Sequence, residues 1–149
     1  MSEDTLIDIL QANRLMRSPE EVTAFENALA ELAENPKNEY LPSLHLVLDD
    51  GCEHQEVMFG LVHVLESFDI KEQLEAFVGV VPQLIVTAPD WTKILHNRIL
   101  NDESACRLYR EILQEINSRS QNFFRQLLED SATNQLNQLV SPSELAIKI

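Results

Sequence analysis

Apolar residues recur at helical spacing along most of the chain, and the clearest case follows Ser18. Pro19 stands at a first helical position and Glu21 lies three residues after the serine, which together form a capping box. Beyond this start, apolar residues keep a spacing of three to four, at Val22, Phe25, Leu29 and Leu32. The pattern predicts an amphipathic helix over 19–34, ended by Asn35-Pro36.

The rest of the chain also contains the start signals, stop signals and apolar spacing of helices. A first helix over about 3–15 is expected to bury Leu6, Ile9 and Leu10. The apolar run over 80–86, which Gly79 precedes and Pro82 interrupts, could also be a buried strand, but no second β-rich segment offers it a partner. Further helical segments are therefore predicted over about 41–48, 53–67, 69–77, 80–86, 89–100, 101–117, 119–130 and 132–139.

These elements predict an all-α fold, either an irregular multi-helix bundle or a short α-solenoid of antiparallel helix pairs. With 149 residues, of which 44% are hydrophobic, the chain is long enough to bury a core. A single domain over 1–149 is the simplest expectation. Three glycines and six prolines leave little room for the many turns of a β-sandwich.

Charge is the least ordinary feature of the composition. The chain has 25 acidic and 11 basic residues, and residues 1–75 hold 17 of the acids but only four of the bases. Nucleic-acid binding is not expected, because it needs a basic surface. A basic protein partner suits this asymmetry, since a patch of one sign attracts the opposite sign. Plain solubility is the alternative explanation.

The sequence predicts a cytoplasmic protein. Ser2, Glu3 and Asp4 occupy the place where a secretion signal needs basic residues. The most apolar window, 76–88, is interrupted at Pro82 and is too short to span a bilayer. The two cysteines, Cys52 and Cys106, do not form a CxxC pair and are interpreted as reduced thiols.

Polar residues line one side of the otherwise apolar helix predicted over 53–67. Glu56 and His63 are seven residues apart, so they nearly eclipse each other on a helix, with Gly60 between them. Gly60 is expected to let another backbone or a large ring approach closely. Downstream, a similar edge contains Trp91 and Arg98. The predicted structural polar network, placed between helices inside the protein, comprises Glu56, His63, Glu66, Trp91 and Arg98.

Catalytic and metal-binding interpretations are weaker. Cys52, His54, Glu56 and His63 are ligand types, but the two histidines are nine residues apart and no zinc spacing such as HExxH occurs. A Cys–His nucleophile lacks any activating neighbour, and a hydrolase or metalloenzyme using Glu56, His63 and Cys52 is the least favoured hypothesis. No metal or cofactor is expected, and the protein is not expected to be an enzyme. His45 and His96 are interpreted as surface or boundary residues.

Several motifs together resemble one bacterial family. They are D-D-G-x-E at 49–53, E-V-M-F-G-L-V-H-V-L-E at 56–66, P-Q-L at 82–84, A-P-D-W at 88–91 and L-H-N-R-I-L-N at 95–101. This combination, over roughly residues 40–110, resembles the Immunity protein 30 family of polymorphic toxin systems. The resemblance implies a small cytoplasmic all-α protein that binds and blocks a cognate toxin domain.

The acidic residues are the expected surface for that toxin, because a nuclease toxin needs a basic surface for phosphate. The predicted partner-binding residues are Asp49, Asp50, Glu53, Glu72 and Glu75, with Glu20 and Glu21 as possible additions. Charge reversal at Asp49 and Asp50 is expected to slow association and to leave the melting temperature unchanged. The alternative function is a generic α-helical-repeat adaptor for some other protein.

Overall fold

The computed structural model describes residues 3–115, and every regular element among them is helical. The predicted all-α fold is thus confirmed. The helices are α1 (Glu3–Asn13), α2 (Pro19–Glu34), α3 (Leu41–His45), α4 (Gln55–Glu66), α5 (Ile70–Thr87), α6 (Pro89–Asn101) and α7 (Glu103–Glu115), with a 3-10 turn at Asn38–Tyr40. The helices predicted over 119–130 and 132–139 lie outside the described residues.

The chain divides into two compact units between Pro89 and Asp90. In the first unit, α1 packs against α2 and α3 packs against α5. Helix α4 contacts α2, α3 and α5, which explains why it is apolar around most of its circumference. The second unit contains α7 and nearly all of α6. A single domain over 1–149 stays a prediction.

Local capping signals set the start of α2 where the sequence predicts it. Ser18 has an extended backbone, and its hydroxyl oxygen accepts a hydrogen bond from the backbone N–H of Glu21 at 3.2 Å. The Glu21 carboxylate accepts from the backbone N–H of Arg17 at 2.7 Å rather than from that of the cap itself. In α1 the buried residues are Leu6, Ile7 and Leu10, so Ile7 takes the place predicted for Ile9.

Helix α5 corrects the predicted break at Gly79 and Pro82. The structure has one continuous helix over Ile70–Thr87, because its buried stripe passes both residues without interruption. Gly79 and Pro82 are exposed on the other side. Proline and glycine cost a helix interior about 3 and 1 kcal/mol. Burial of the stripe outweighs that cost. The stripe is formed by Leu74, Phe77, Val80, Val81 and Leu84.

Two histidines lie in the core, which corrects their interpretation as surface or boundary residues. His45 is 2% exposed and donates from Nδ1 to the carbonyl of Leu41 at 2.8 Å, with its ring 6.1 Å from that of Phe77. His96 is 1% exposed, and its Nδ1 lies 2.8 Å from the hydroxyl of Tyr109. Burial lowers the pKa of each imidazole from 6.5 to about 4, although the bond to Leu41 partly opposes this shift at His45.

Candidate partner-binding surface

The acidic loop, defined as residues 49–53, joins α3 to α4 and is held in place by Asp49. One oxygen of this carboxylate, Oδ1, accepts from the backbone N–H of Gly51 at 2.7 Å. The other, Oδ2, lies 3.4 Å from Nε of Arg14, just beyond the end of α1. Arg14 also donates from Nη1 to the carbonyl of Leu46 at 3.3 Å. Asp49 thus fastens the loop to the α1–α2 connection.

Because Asp49 is bonded within the fold, reversing its charge would affect stability as well as the predicted toxin association. Reversal would remove the acceptor for Gly51 and bring two cations together at Arg14. We therefore expect Asp49→Lys to lower the stability of the fold, against the expectation of an unchanged melting temperature. Asp50, its neighbour, is half-buried.

Glu53 has a different role at the other end of the acidic loop. Its backbone N–H donates to the carbonyl of Leu15 at 3.0 Å, which ties a second point of the loop to the α1–α2 connection. Its side chain is exposed, and its carboxylate has no hydrogen-bond or ion-pair partner within residues 3–115. Between these two acids, Cys52 is buried and is not part of a disulfide. Among the described residues, the carboxylate of Glu53 is thus unengaged, whereas that of Asp49 is engaged by Gly51 and Arg14.

The other predicted partner-binding residues lie on α5. Glu72 and Glu75 are both exposed, and the backbone N–H of Glu72 donates to the capping carboxylate of Asp69 at 3.3 Å. The unit that contains them, residues 1–89, holds 17 of the 25 acidic residues and four of the 11 basic ones. Of the two possible additions, Glu20 is exposed and Glu21 is half-buried. Nearly all of the net negative charge therefore belongs to this unit.

In the polar line of α4, the two residues predicted to eclipse each other, Glu56 and His63, face solvent. Glu56 and His63 are exposed, and Glu66 is half-buried. Glu56 Oε1 lies 3.4 Å from Nδ1 of His54. The pKa of the Glu56 carboxyl is lowered, chiefly by the hydrogen bond from its own backbone N–H and then by His54. The ring of His63 lies 6.5 Å from that of Phe59, one helical turn away.

These positions correct part of the predicted polar network. Trp91 is buried at 3% exposure, but Arg98 is exposed like Glu56 and His63. The interior location predicted for those three charged or polar residues is therefore wrong, while a network among the five residues stays a prediction. Gly60 also differs from expectation, because among residues 3–115 a Cβ there would meet just a methyl of Leu29 at 3.5 Å, an ordinary contact.

Metal-binding side chains are scattered in the part of the chain that the structure describes. Within residues 3–115, no three His, Cys, Asp or Glu side chains converge so as to hold a metal ion. Among those same residues, no helix is both long enough and apolar enough to cross a membrane.

A family model described as Immunity protein 30 matches residues 12–109, well over half of the chain. The chain belongs to the Immunity protein 30 family. The comparison with curated proteins found no match, and neither did the comparison with solved structures. The family match begins at residue 12 and not near residue 40, so it includes Arg14, all of α2 and the acidic loop.

Sequence reasoning missed the role of Arg14 in this Immunity protein 30 family member. Arg14 and Asp49 are 35 positions apart, and no local pattern connects them. The only available signal was rarity, because Arg14 is one of four basic residues in the first 75. A base so outnumbered by acids is a natural candidate for an ion pair that organises the fold.

We expect Arg14→Met to lower the free energy of unfolding by about 1–2 kcal/mol, because a partly buried carboxylate and carbonyl lose their cationic partner. Methionine keeps most of the apolar stem. The measurement is urea unfolding at neutral pH. Arg107→Met is the matched control, since its pair with Glu103 is 72% and 89% exposed and its loss should change little. Equal effects of the two substitutions would contradict the structural role of Arg14.

Proposed function

We propose that this protein is a cytoplasmic immunity protein that binds a cognate bacterial toxin domain and neutralises it as a stoichiometric inhibitor. The observation that carries the proposal is the Immunity protein 30 match over residues 12–109. Immunity proteins generally bind cognate toxins. The protein would act by covering its partner, and it would contribute no catalysis of its own.

The charge distribution supports a basic partner, such as a nuclease toxin. An enzyme that cleaves nucleic acid needs cationic residues to hold phosphate groups, and an acidic protein can occupy that surface. Residues 1–89 supply the required negative field, and Glu53, Glu72 and Glu75 are exposed within them. Electrostatic steering of this kind can raise association rates by about 10- to 1,000-fold.

The proposal is tested with a toxin domain whose gene is adjacent to the gene of this protein. We expect a one-to-one complex of nanomolar or tighter affinity, as in other toxin–immunity pairs, and loss of toxin activity at one equivalent. Size-exclusion chromatography with light scattering gives the stoichiometry, and titration calorimetry gives the affinity. An unrelated protein of similar size and acidity is the control for non-specific charge attraction. If no complex forms at low salt, the proposed function is wrong.

A further inference from the structure

We propose that a preformed depression beside Glu53 is the socket for one arginine side chain of the toxin, an inference that rests on the proposed function. The depression has a volume of about 370 Å³ and lies between the α1–α2 connection, the start of α2 and the end of the acidic loop. Its apolar lining comes from Met16, Pro19 and Val22. Glu53 and His54, which directly precede α4, also line it.

The chemistry of this depression fits a long side chain with a cationic end. An arginine has an apolar stem of three methylene groups, which would contact the accessible side chains of Pro19 and Val22, above the buried Met16. Its planar guanidinium would reach the Glu53 carboxylate, which can accept two parallel hydrogen bonds. Because this carboxylate has no partner within the described residues, the toxin would not have to break an existing ion pair to use it.

One cation of the chain itself also lines the depression, and it is already paired. Arg17 Nη2 lies 3.7 Å from Oε2 of Glu21, and the backbone N–H of Arg17 donates to Oε1 of the same carboxylate at 2.7 Å. Glu21 therefore offsets the charge of Arg17. Glu53 lines the depression, and Glu56 lies beside the lining residue His54, so this side is negative, which complements a cation and repels a carboxylate.

The walls of the socket are fixed before any partner arrives. The bond from the Glu53 N–H to the Leu15 carbonyl joins the two segments that face each other across the depression. Met16 is fully buried and has a φ of 53°, in the left-handed region, where its N–H donates to the carbonyl of Asn13 at 3.1 Å. A preformed pocket binds with a smaller loss of conformational freedom than a flexible loop.

Recognition of one toxin side chain in the depression and general attraction by the acidic surface should affect different rate constants. A diffuse negative field changes mainly the association rate, whereas a desolvated charge pair at the centre of an interface changes the dissociation rate. Single buried anchors of this kind carry a large share of the affinity in many interfaces, and arginine is enriched among them. The two explanations of the acidic surface thus predict different kinetics for one substitution.

The first test measures both rate constants of the toxin complex by surface plasmon resonance with Glu53→Gln, which keeps the shape and removes the charge. We expect the dissociation rate to rise about 10- to 100-fold, because a charge-assisted pair is lost. Glu26→Gln is the matched control, since Glu26 is exposed on α2, carries the same charge and does not line the depression. Its dissociation rate should match that of the wild type.

A second variant fills the socket without changing charge. Thr23 is exposed and lines the depression, so Thr23→Trp should occupy the space, weaken the complex at least tenfold and leave the melting temperature near that of the wild type. Thr87→Trp, at the exposed end of α5, is the control for adding an indole. Wild-type dissociation rates for both Glu53→Gln and Thr23→Trp would overturn the socket while leaving the immunity function intact. Absence of a wild-type complex would overturn both.

A probe that does not depend on the toxin completes the test. N-acetyl-arginine amide should shift the backbone NMR resonances of Glu53 and Val22 at millimolar concentration. N-acetyl-citrulline amide, which has the same shape and no charge, should shift them less. Equal shifts from the two probes, or shifts that persist in Glu53→Gln, would show that the depression does not select a cation.

Discussion

The free energy of unfolding should fall by about 3 kcal/mol for each buried histidine as the pH is lowered from 6.5 to 4. Burial lowers the pKa of His45 and of His96 to about 4 in the folded protein, against 6.5 in the unfolded chain. Above pH 6.5 both states hold neutral imidazoles, so these groups do not change the stability. Between pH 6.5 and 4 the unfolded chain binds protons that the folded one does not, and stability is lost as the pH falls.

His45→Leu isolates this effect in the first unit. Leucine keeps an apolar side chain beside Phe77 and removes both the titration and the bond to the Leu41 carbonyl. We expect the variant to lose about 3 kcal/mol less than the wild type between pH 6.5 and 4, as measured by urea unfolding at several pH values. His63→Gln, which removes an exposed imidazole, is the control.

Charge repulsion within the folded chain also changes the stability over this pH range, so the wild type must be compared with a variant. At a net charge of −14 the folded chain repels itself, and protonation of carboxylates towards pH 4 relieves that repulsion. This relief raises stability as the pH falls, opposite to the effect of the buried histidines. It is common to the wild type and to His45→Leu, so the difference between their slopes reports on His45 alone. If the two slopes coincide, His45 is not desolvated in the folded protein.

The parts of the fold that the sequence predicts well are set by local chemistry. Ser18, Pro19 and Glu21 specify the start of α2 within four residues, so its bounds of 19–34 agree with the structure. The predicted break in α5 fails because packing against α3 outweighs the local cost of Gly79 and Pro82. Propensity alone cannot reveal that balance, since it depends on a partner helix some 30 residues away.

The same division between local and distant causes applies to the candidate surface. The concentration of acids in the first part of the chain is visible in the sequence, and so is a helix with Glu56 and His63 on one side. The sequence does not show that Asp49 is engaged by Arg14, or that Glu53 faces an apolar depression. Each of these facts depends on how the α1–α2 connection meets the acidic loop, which is a tertiary contact.

The second large effect concerns association with the toxin. Reversing three exposed carboxylates together, as Glu53→Lys, Glu72→Lys and Glu75→Lys, should slow association by about 10- to 100-fold at low salt. All three are exposed, and Asp49 is excluded because of its bonds to Arg14 and Gly51. The free energy of unfolding should change by less than about 0.5 kcal/mol at Glu53 and Glu75. It should fall by about 1 kcal/mol at Glu72, which lies in the first turn of α5. Stopped-flow mixing at a series of salt concentrations measures the association rate.

A charge-matched control decides whether location or total charge matters. Glu26, Glu34 and Glu39 are also exposed in the first unit but belong to neither the acidic loop nor α5. Reversing these three changes the net charge by the same amount. If the predicted surface is the interface, the control triple should slow association far less, and the gap should narrow as salt approaches 1 M, where screening acts over about 3 Å. Equal slowing by both triple variants would mean that only the overall negative field attracts the toxin.

Because Glu53 also lines the socket, the variant with Glu53, Glu72 and Glu75 reversed should raise the dissociation rate as well. Restoring Glu53 alone should recover the dissociation rate without recovering the full association rate.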